Sequence, residues 1–297
     1  MPSQQDLEGL QRQHDFFIGL DSDGCCFDSM ELKHKECFIP QIIGHWDCQA
    51  VSKYARMASE FVNLYSQWRG VNRFPALVMT FDLLHEWDAV QDRGWRAPEH
   101  QALRDWVAAE TKLGNPALKA AVERTGDPVL KRLLAWSEAV NEVVGWMVHD
   151  LPPFPLVPEL LDKASAKADM IVVSGTPGEA LEREWAEHGI DGHVSTICGQ
   201  EVGSKTQMLA WSAKGKYDDD KVLMVGDAPG DLKAARANGF LFFPINPGDE
   251  AASWRTFYHE ALDRFFAGTY AGEYEAAQIE QFNRLLDKRF ALMIRRM

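Results

Sequence analysis

Asp21-Ser22-Asp23-Gly24 places two carboxylates two residues apart, next to a glycine. A carboxylate is a competent nucleophile toward phosphorus and forms an acyl-phosphate that water can later cleave. A second carboxyl two residues on can protonate a leaving oxygen and then take a proton from the attacking water. The glycine lets the chain turn sharply beside a bound phosphate. Ser174-Gly175-Thr176-Pro177 brings a hydroxyl and backbone N–H groups to a junction between an apolar run and a helical one, an arrangement that binds anions. Thr176 and Glu179, with Pro177 at the first helical position, also read as a capping box for that helix. Lys205, in the glycine-containing approach GQEVGSKTQML, offers a cation to offset charge on phosphoryl oxygens and on Asp21. Gly226-Asp227-Ala228-Pro229-Gly230-Asp231 ends a third apolar run with carboxylates suited to a hard divalent cation such as magnesium. Asp231 reads either as part of that acidic set or as the N-cap of LKAARANG.

Positioning these groups together requires a particular set of elements. FFIGLD (16–21), MIVVSG (170–175) and KVLMVGD (221–227) are short apolar runs ending in polar residues, and FLFFPI (240–245) is a fourth. Each of the first three precedes a helical pattern. Buried strands alternating with helices predict an α/β fold, a doubly wound parallel sheet covered on both faces. Sites in such sheets gather at the carboxyl ends of the strands, where Asp21, Ser174 and Asp227 fall. The interval between the first two strands is helical almost throughout and too long for a crossover, which predicts an inserted all-helical domain. LPPFPLVP (151–158) marks the return from it. The expected division is an α/β core over 1–29 and 156–297, with a helical tail, and a helical insert over 30–155.

At 297 residues the chain has ample length for a large core domain carrying a second one. Hydrophobic content of 46% and charged content of 25% are those of a globular protein. A formal charge of -13 repels nucleic acid and anionic membranes, so neither is expected as a partner. The polar N-terminal stretch predicts no export signal, and no apolar run approaches the length of a membrane span. The five cysteines lack paired spacing and predict free thiols in a reducing cytoplasm. Cys25, Cys37, His45 and Cys48 are a conceivable zinc set, although none of them forms a CxxC pair.

Taken in order on their strand ends, the four motifs resemble those of the haloacid dehalogenase superfamily, with a helical cap inserted after the first motif. The resemblance implies a Rossmann-like core and covers about 16–30 and 155–245. It makes Asp21 the nucleophile and Asp23 the acid/base. Ser174 then hydrogen-bonds the phosphoryl group with Gly175 beside it, and Lys205 orders the charged centre. It further implies a magnesium ion held by Asp21, by the backbone carbonyl of Asp23 and by Asp227, with Asp231 in support. Cys25 and Cys26 depart from the Thr or Val usual after the first-motif glycine and bring oxidisable thiols close to the site.

The function implied is a magnesium-dependent phosphatase of a small phosphorylated metabolite, working through an aspartyl-phosphate as a monomer or homodimer. A dehalogenase has no use for Asp23. A phosphomutase would place a histidine slightly earlier than His34, where this chain has Lys33. A phosphonate hydrolase needs a Schiff-base lysine, for which Lys33, Lys35 and Lys53 are available. A non-catalytic binding protein has no chemical need for both aspartates. Within the insert, Arg69, Asn72 and Arg73 of QWRGVNRFPAL are candidates for a second anionic group of the substrate, the alternative being a loop of solvated arginines. Trp46, Trp68, Trp87, Trp95 and Trp106 of the insert read as core rather than as a ligand stack. The basic end, KRFALMIRRM, reads as a packed helix end, the alternative being a membrane-surface contact.

Overall fold

A computed structural model describes residues 2–286; the KRFALMIRRM segment lies outside the described residues. The described residues divide into two compact units, one made of residues 2–30 and 150–286, the other of Glu31–His149.

The first unit is built on five parallel strands: β1 (Phe16–Leu20), β2 (Ala168–Val173), β3 (Thr196–Cys198), β4 (Val222–Gly226) and β5 (Leu241–Pro244), in the order β3-β2-β1-β4-β5. Their sequences are continuously apolar because each face meets helices, and alternate residues go to opposite sides. Ile18, Leu20, Val172 and Val225 pack with Leu160, Leu181, Trp185 and Trp254 on one face. Phe17, Ile171, Val173 and Met224 pack with Met208, Leu209, Ala235 and Phe282 on the other. β1 lies at the centre, in register with β2 through Leu20–Val172 and with β4 through Leu20–Val225. The strand ends after Leu20 and Val225 are therefore level.

Gly19 sets how closely one helix approaches. A Cβ there would meet Leu209 Cδ2 at 2.7 Å, so the helix Lys205–Ala213 lies directly on β1. The exposed side of β5 is closed by side chains rather than by another strand. The N–H of Phe242 donates to Glu275 Oε1 at 2.8 Å, and the Tyr270 hydroxyl donates to the Phe242 carbonyl at 2.6 Å. Pairing an edge strand's polar groups in this way removes a template for edge-to-edge association.

The return from the helical segment differs from the expected boundary. The unit resumes at Asp150, ahead of the proline-rich stretch, because Pro153 bridges to Phe27 and the Phe154 N–H donates to the Cys26 carbonyl at 2.8 Å. Those contacts tie LPPFPLVP to the first-motif loop.

The second unit is all helix. Ser52–Leu64, Arg73–Glu86, Gln101–Ala109, Asn115–Thr125 and Pro128–Met147 surround a core of Phe74, Phe81, Leu84, Leu103, Leu133 and Val140. Trp46, Trp87, Trp95 and Trp106 are buried in that core, and Trp68 is half-buried against a separate cluster of Phe61, Val62 and Ala76. Lys33–Phe38 is a widened, π-type turn just ahead of Pro40, a residue that cannot donate within a regular helix. Among the described residues no helix is long and apolar enough to cross a membrane.

Candidate active site

Asp21 follows β1, and its N–H donates to the Val225 carbonyl at 2.9 Å, so the sheet ladder itself fixes its backbone. The next residues fold into a tight loop. The Ser22 carbonyl accepts the N–H groups of Cys25, Cys26 and Phe27, while Gly24 adopts φ 75°, the left-handed region that favours glycine. Two side chains lock Ser22: Trp185 Nε1 donates to its hydroxyl at 3.0 Å, and that hydroxyl donates to Glu184 at 3.3 Å. The Ser22 N–H in turn donates to Asp21 Oδ1 at 2.8 Å.

Lys205 is the first residue of its helix, directly after Ser204, whose hydroxyl and Gln207 form a reciprocal capping box. The cap and the close packing against Gly19 aim Lys205 at the end of β1. Its Nζ lies 2.6 Å from Asp21 Oδ2 and 2.5 Å from Asp231 Oδ1. Asp231 is fully buried, and its other oxygen accepts the Ala228 N–H at 3.0 Å. It is not an N-cap: the helix Pro229–Ala237 begins two residues earlier, and the Asp231 carboxylate reaches back to the helix entrance. Asp227 is buried at the end of β4, and oxygens of Asp21, Asp227 and Asp231 lie within 4.8 Å of one another.

Three carboxylates around one ammonium leave an excess of negative charge in a buried place. Burial raises the Asp21 carboxyl, Lys205 pulls it down, and Asp231 and Asp227 raise it again, with a net position well above the ordinary carboxylate range. Burial opposes charge on Lys205, but the Asp21 and Asp231 carboxylates outweigh it and hold the ammonium protonated. A donor set of buried carboxylates with surplus charge fits a hard divalent cation. Among the described residues, Cys25, Cys37, His45 and Cys48 do not gather into a metal-ligand set, whereas the three aspartates do.

Ser174 is buried at the end of β2, with its N–H on the Cys198 carbonyl at 3.0 Å. A Cβ added at Gly175 would meet open space. The expected capping box at Thr176 is absent. The helix starts at Gly178 after Pro177 with no side-chain cap, because the Thr176 hydroxyl is used elsewhere: it donates to Asp23 Oδ2. Ser29 donates to Asp23 Oδ1. Neither partner of Asp23 was legible as such in the sequence, although Thr176 stands two residues after the motif serine.

Cys25 and Cys26 are wholly buried; the Cys26 thiol faces the Asp21 carbonyl at 3.2 Å, and burial holds the Cys25 thiol well up. They pack in the core beside the site, with thiols kept from solvent. The three substrate candidates of the insert are also structural. Arg69 is buried with Nη1 on the Leu64 carbonyl at 2.9 Å. Asn72 caps the helix Arg73–Glu86 by accepting the Phe74 N–H at 3.1 Å. Arg73 donates to Asn141 at 2.7 Å and lies over the Phe38 ring. Arg69 is a helix-end anchor rather than a solvated loop arginine, Asn72 is a helix cap, and Arg73 ties its helix to Pro128–Met147.

Gly226 tests how tightly the acidic set is held. A Cβ there would meet Asp231 Cβ, Cγ and Oδ2 at 2.5 Å each. Asp231 cannot yield without breaking its bonds to Lys205 and Ala228. Gly226→Ala is expected to cost about 1 to 3 kcal/mol of stability, the usual range for overpacking, and to lower turnover. Chemical denaturation and a turnover assay check both, and a variant of unchanged stability and rate would show that Asp231 has room to move.

The profile of the haloacid dehalogenase-like hydrolases matches residues 109–244, a span that holds Ser174, Lys205, Asp227 and Asp231 but not Asp21 or Asp23. No curated protein matches the chain. Similar solved structures include a haloacid dehalogenase-like hydrolase of Xanthomonas campestris, 12% identical with a TM-score of 0.46, covering 88% of this chain and 96% of that one. CbbY of Rhodobacter sphaeroides, in complex with phosphate, is 14% identical with a TM-score of 0.44, covering 80% and 87%. A predicted phosphoglycolate phosphatase of Haemophilus somnus is 15% identical with a TM-score of 0.44, covering 80% and 88%. At such distances none of them assigns a substrate to this chain.

Proposed function

We propose that this haloacid dehalogenase-like hydrolase is a magnesium-dependent phosphatase that takes the phosphoryl group of a small phosphorylated metabolite onto Asp21. The observation that carries the reading is Lys205, held between Asp21 and Asp231 beside Asp227. A carboxylate meant only for structure gains little from two more carboxylates in a buried place. A nucleophile that must accept a phosphoryl dianion needs cations there.

Asp21 and Asp227, with the Asp23 carbonyl and with Asp231 behind them, are the residues that would hold magnesium, whose charge offsets that of the phosphoryl oxygens. Asp21 attacks phosphorus, the bond to the leaving oxygen breaks, and its electron pair takes the proton carried by Asp23. Water then attacks the phosphorus and gives a proton to Asp23; the bond to Asp21 breaks, and phosphate and the free carboxylate are restored. Lys205 stays charged throughout, and Ser174 with Gly175 lines the open space beside the strand end. The helical unit is proposed as the cap that selects the leaving group.

Phosphonate chemistry through Lys35 is disfavoured. Against the pull of burial, Glu31 and Tyr65 raise the Lys35 ammonium, and a protonated amine cannot form a Schiff base. The test is release of inorganic phosphate from a panel of phosphate esters, with magnesium and with a chelator. At least one ester should be hydrolysed with magnesium and not with the chelator. Turnover indifferent to the chelator would rule the reading out.

A further inference from the structure

Thr176 is held more firmly than a loop residue needs to be. Its N–H donates to Ser174 Oγ at 3.2 Å, and its carbonyl accepts the Gln200 N–H at 3.0 Å from just beyond β3. Pro177 follows at φ -55° and restricts the backbone before it. A residue pinned on both sides presents its side chain in one direction. That side chain donates its hydroxyl hydrogen to Asp23 Oδ2. A hydroxyl has a single hydrogen, so Thr176 cannot donate to a phosphoryl oxygen while it serves Asp23.

Asp23 sits on the tight loop after β1, with its carboxyl on a side chain that has freedom about two bonds. Ser29 takes one carboxyl oxygen and Thr176 the other. Ser29 stands only six residues away on the same stretch of chain. Thr176 comes from the end of β2, a different strand, and so refers the carboxyl to the sheet that also fixes Asp21. Proton transfer to a leaving oxygen depends on placing the acid within hydrogen-bond reach of it, and small misplacements cost large factors.

We propose that Thr176 is a positioning residue for Asp23, fixing the acid/base relative to Asp21 so that the leaving oxygen is protonated as its bond to phosphorus breaks; this rests on the phosphatase reading. The consequence is specific to the leaving group. An alkoxide leaving from an alkyl phosphate needs the proton. A nitrophenolate leaves as an anion and does not.

The experiment compares Thr176→Val, which keeps the shape and removes the hydroxyl, with Thr176→Ser, which restores it. Both are assayed with magnesium on nitrophenyl phosphate and on the best alkyl phosphate ester of the panel. With Ser29 still in place, Thr176→Val should lose about tenfold to a hundredfold in kcat on the alkyl ester, less than the roughly 10²- to 10⁴-fold that general acid catalysis as a whole contributes. It should lose less than about threefold on nitrophenyl phosphate, and Thr176→Ser should recover most of the alkyl-ester rate. Equal losses on both esters would mean that Thr176 serves the phosphoryl group or the fold, and would overturn the proposal. No loss on either would do so as well. If the parent protein hydrolyses neither ester, the phosphatase reading fails, and the positioning claim is decided by crystal structures of the parent and Thr176→Val. A displaced Asp23 carboxyl in the variant supports it, and an unmoved one overturns it.

Discussion

Asp21→Asn should abolish phosphate release while leaving the metal-free protein at least as stable as the parent near neutral pH. The loss in turnover is expected to be about 10⁴-fold or more, because an amide cannot form the acyl-phosphate and no neighbouring carboxylate can replace it. Asp227 and Asp231 stand nearby, but Asp231 is tied to Lys205 and to the Ala228 N–H. The stability half of the prediction follows from the position of the Asp21 carboxyl. Burial, with Asp231 and Asp227, lifts it above its ordinary value near 3.8 in spite of Lys205. An acid whose folded-state value is raised binds more protons folded than unfolded. It therefore imposes a cost that is absent below the ordinary value and grows as pH rises toward the folded one. Asparagine carries no charge and removes that cost, and Lys205 keeps Asp231 as its partner. Denaturation in chelator at acid and neutral pH reads this directly: the variant should gain on the parent as pH rises. Added magnesium should reverse the order, since the parent keeps the full ligand set and gains more on binding. Turnover surviving in the variant would remove Asp21 from the mechanism. A marked loss of metal-free stability would mean that the Lys205 pairing outweighs burial.

The second large effect is expected from Lys205→Met. Methionine fills the volume of the lysine stem and leaves Asp21 and Asp231 buried without their cation, beside the buried Asp227. Removing one member of a buried ion pair is strongly destabilising, since the remaining charges stay desolvated. The expected cost is about 3 kcal/mol, the lower end of the range for such changes, because 20% of the Lys205 side chain reaches solvent. Saturating magnesium should narrow the gap by neutralising the same carboxylates. It should not restore turnover, which is expected to fall by about 10² to 10³, the loss typical when one group that stabilises developing charge is removed. Melting with and without magnesium, together with phosphate release at saturating metal, checks both parts. A variant that keeps more than a tenth of the parent's rate would make Lys205 a structural ion-pair partner only.

These two substitutions pull stability in opposite directions although their side chains touch. The difference lies in the sign of what is left behind. Without Asp21 the cluster is nearer neutrality; without Lys205 it is further from it. A double variant, Asp21→Asn with Lys205→Met, should be less damaged than the sum of the single effects, as expected for groups in direct contact.

Three short apolar runs ending in polar residues were enough to place Asp21, Ser174 and Asp227 at the ends of parallel strands, because a strand buried on both faces has few other ways to appear in sequence. Lys205 was legible only through its order among the motifs. Its geometry depends on Gly19, which lets a distant helix settle on β1, and on the Ser204 cap, whose Ser-x-x-Gln spacing marks a helix start and not a site. Arg69, Asn72 and Arg73 looked chemically promising because charge and amide groups are equally suited to substrates and to helix ends. Only packing separates the two uses. Thr176 reads as a helix cap by every local rule, yet its hydroxyl crosses to Asp23 from the neighbouring strand, 153 residues away in the chain. Local sequence decides which backbone groups need partners and which strands are buried. It does not decide which of several competent side chains meet when the strand ends are brought level. By itself the sequence determined four of the five strands, the acidic and basic stations on them and the chemistry those residue types can do; the three-residue β3 (Thr196–Cys198) is too short to stand out as an apolar run. The tertiary structure alone decided that Lys205 bridges Asp21 and Asp231 and that Thr176 serves Asp23, because those contacts arise from sheet order and helix approach, which join residues far apart along the chain.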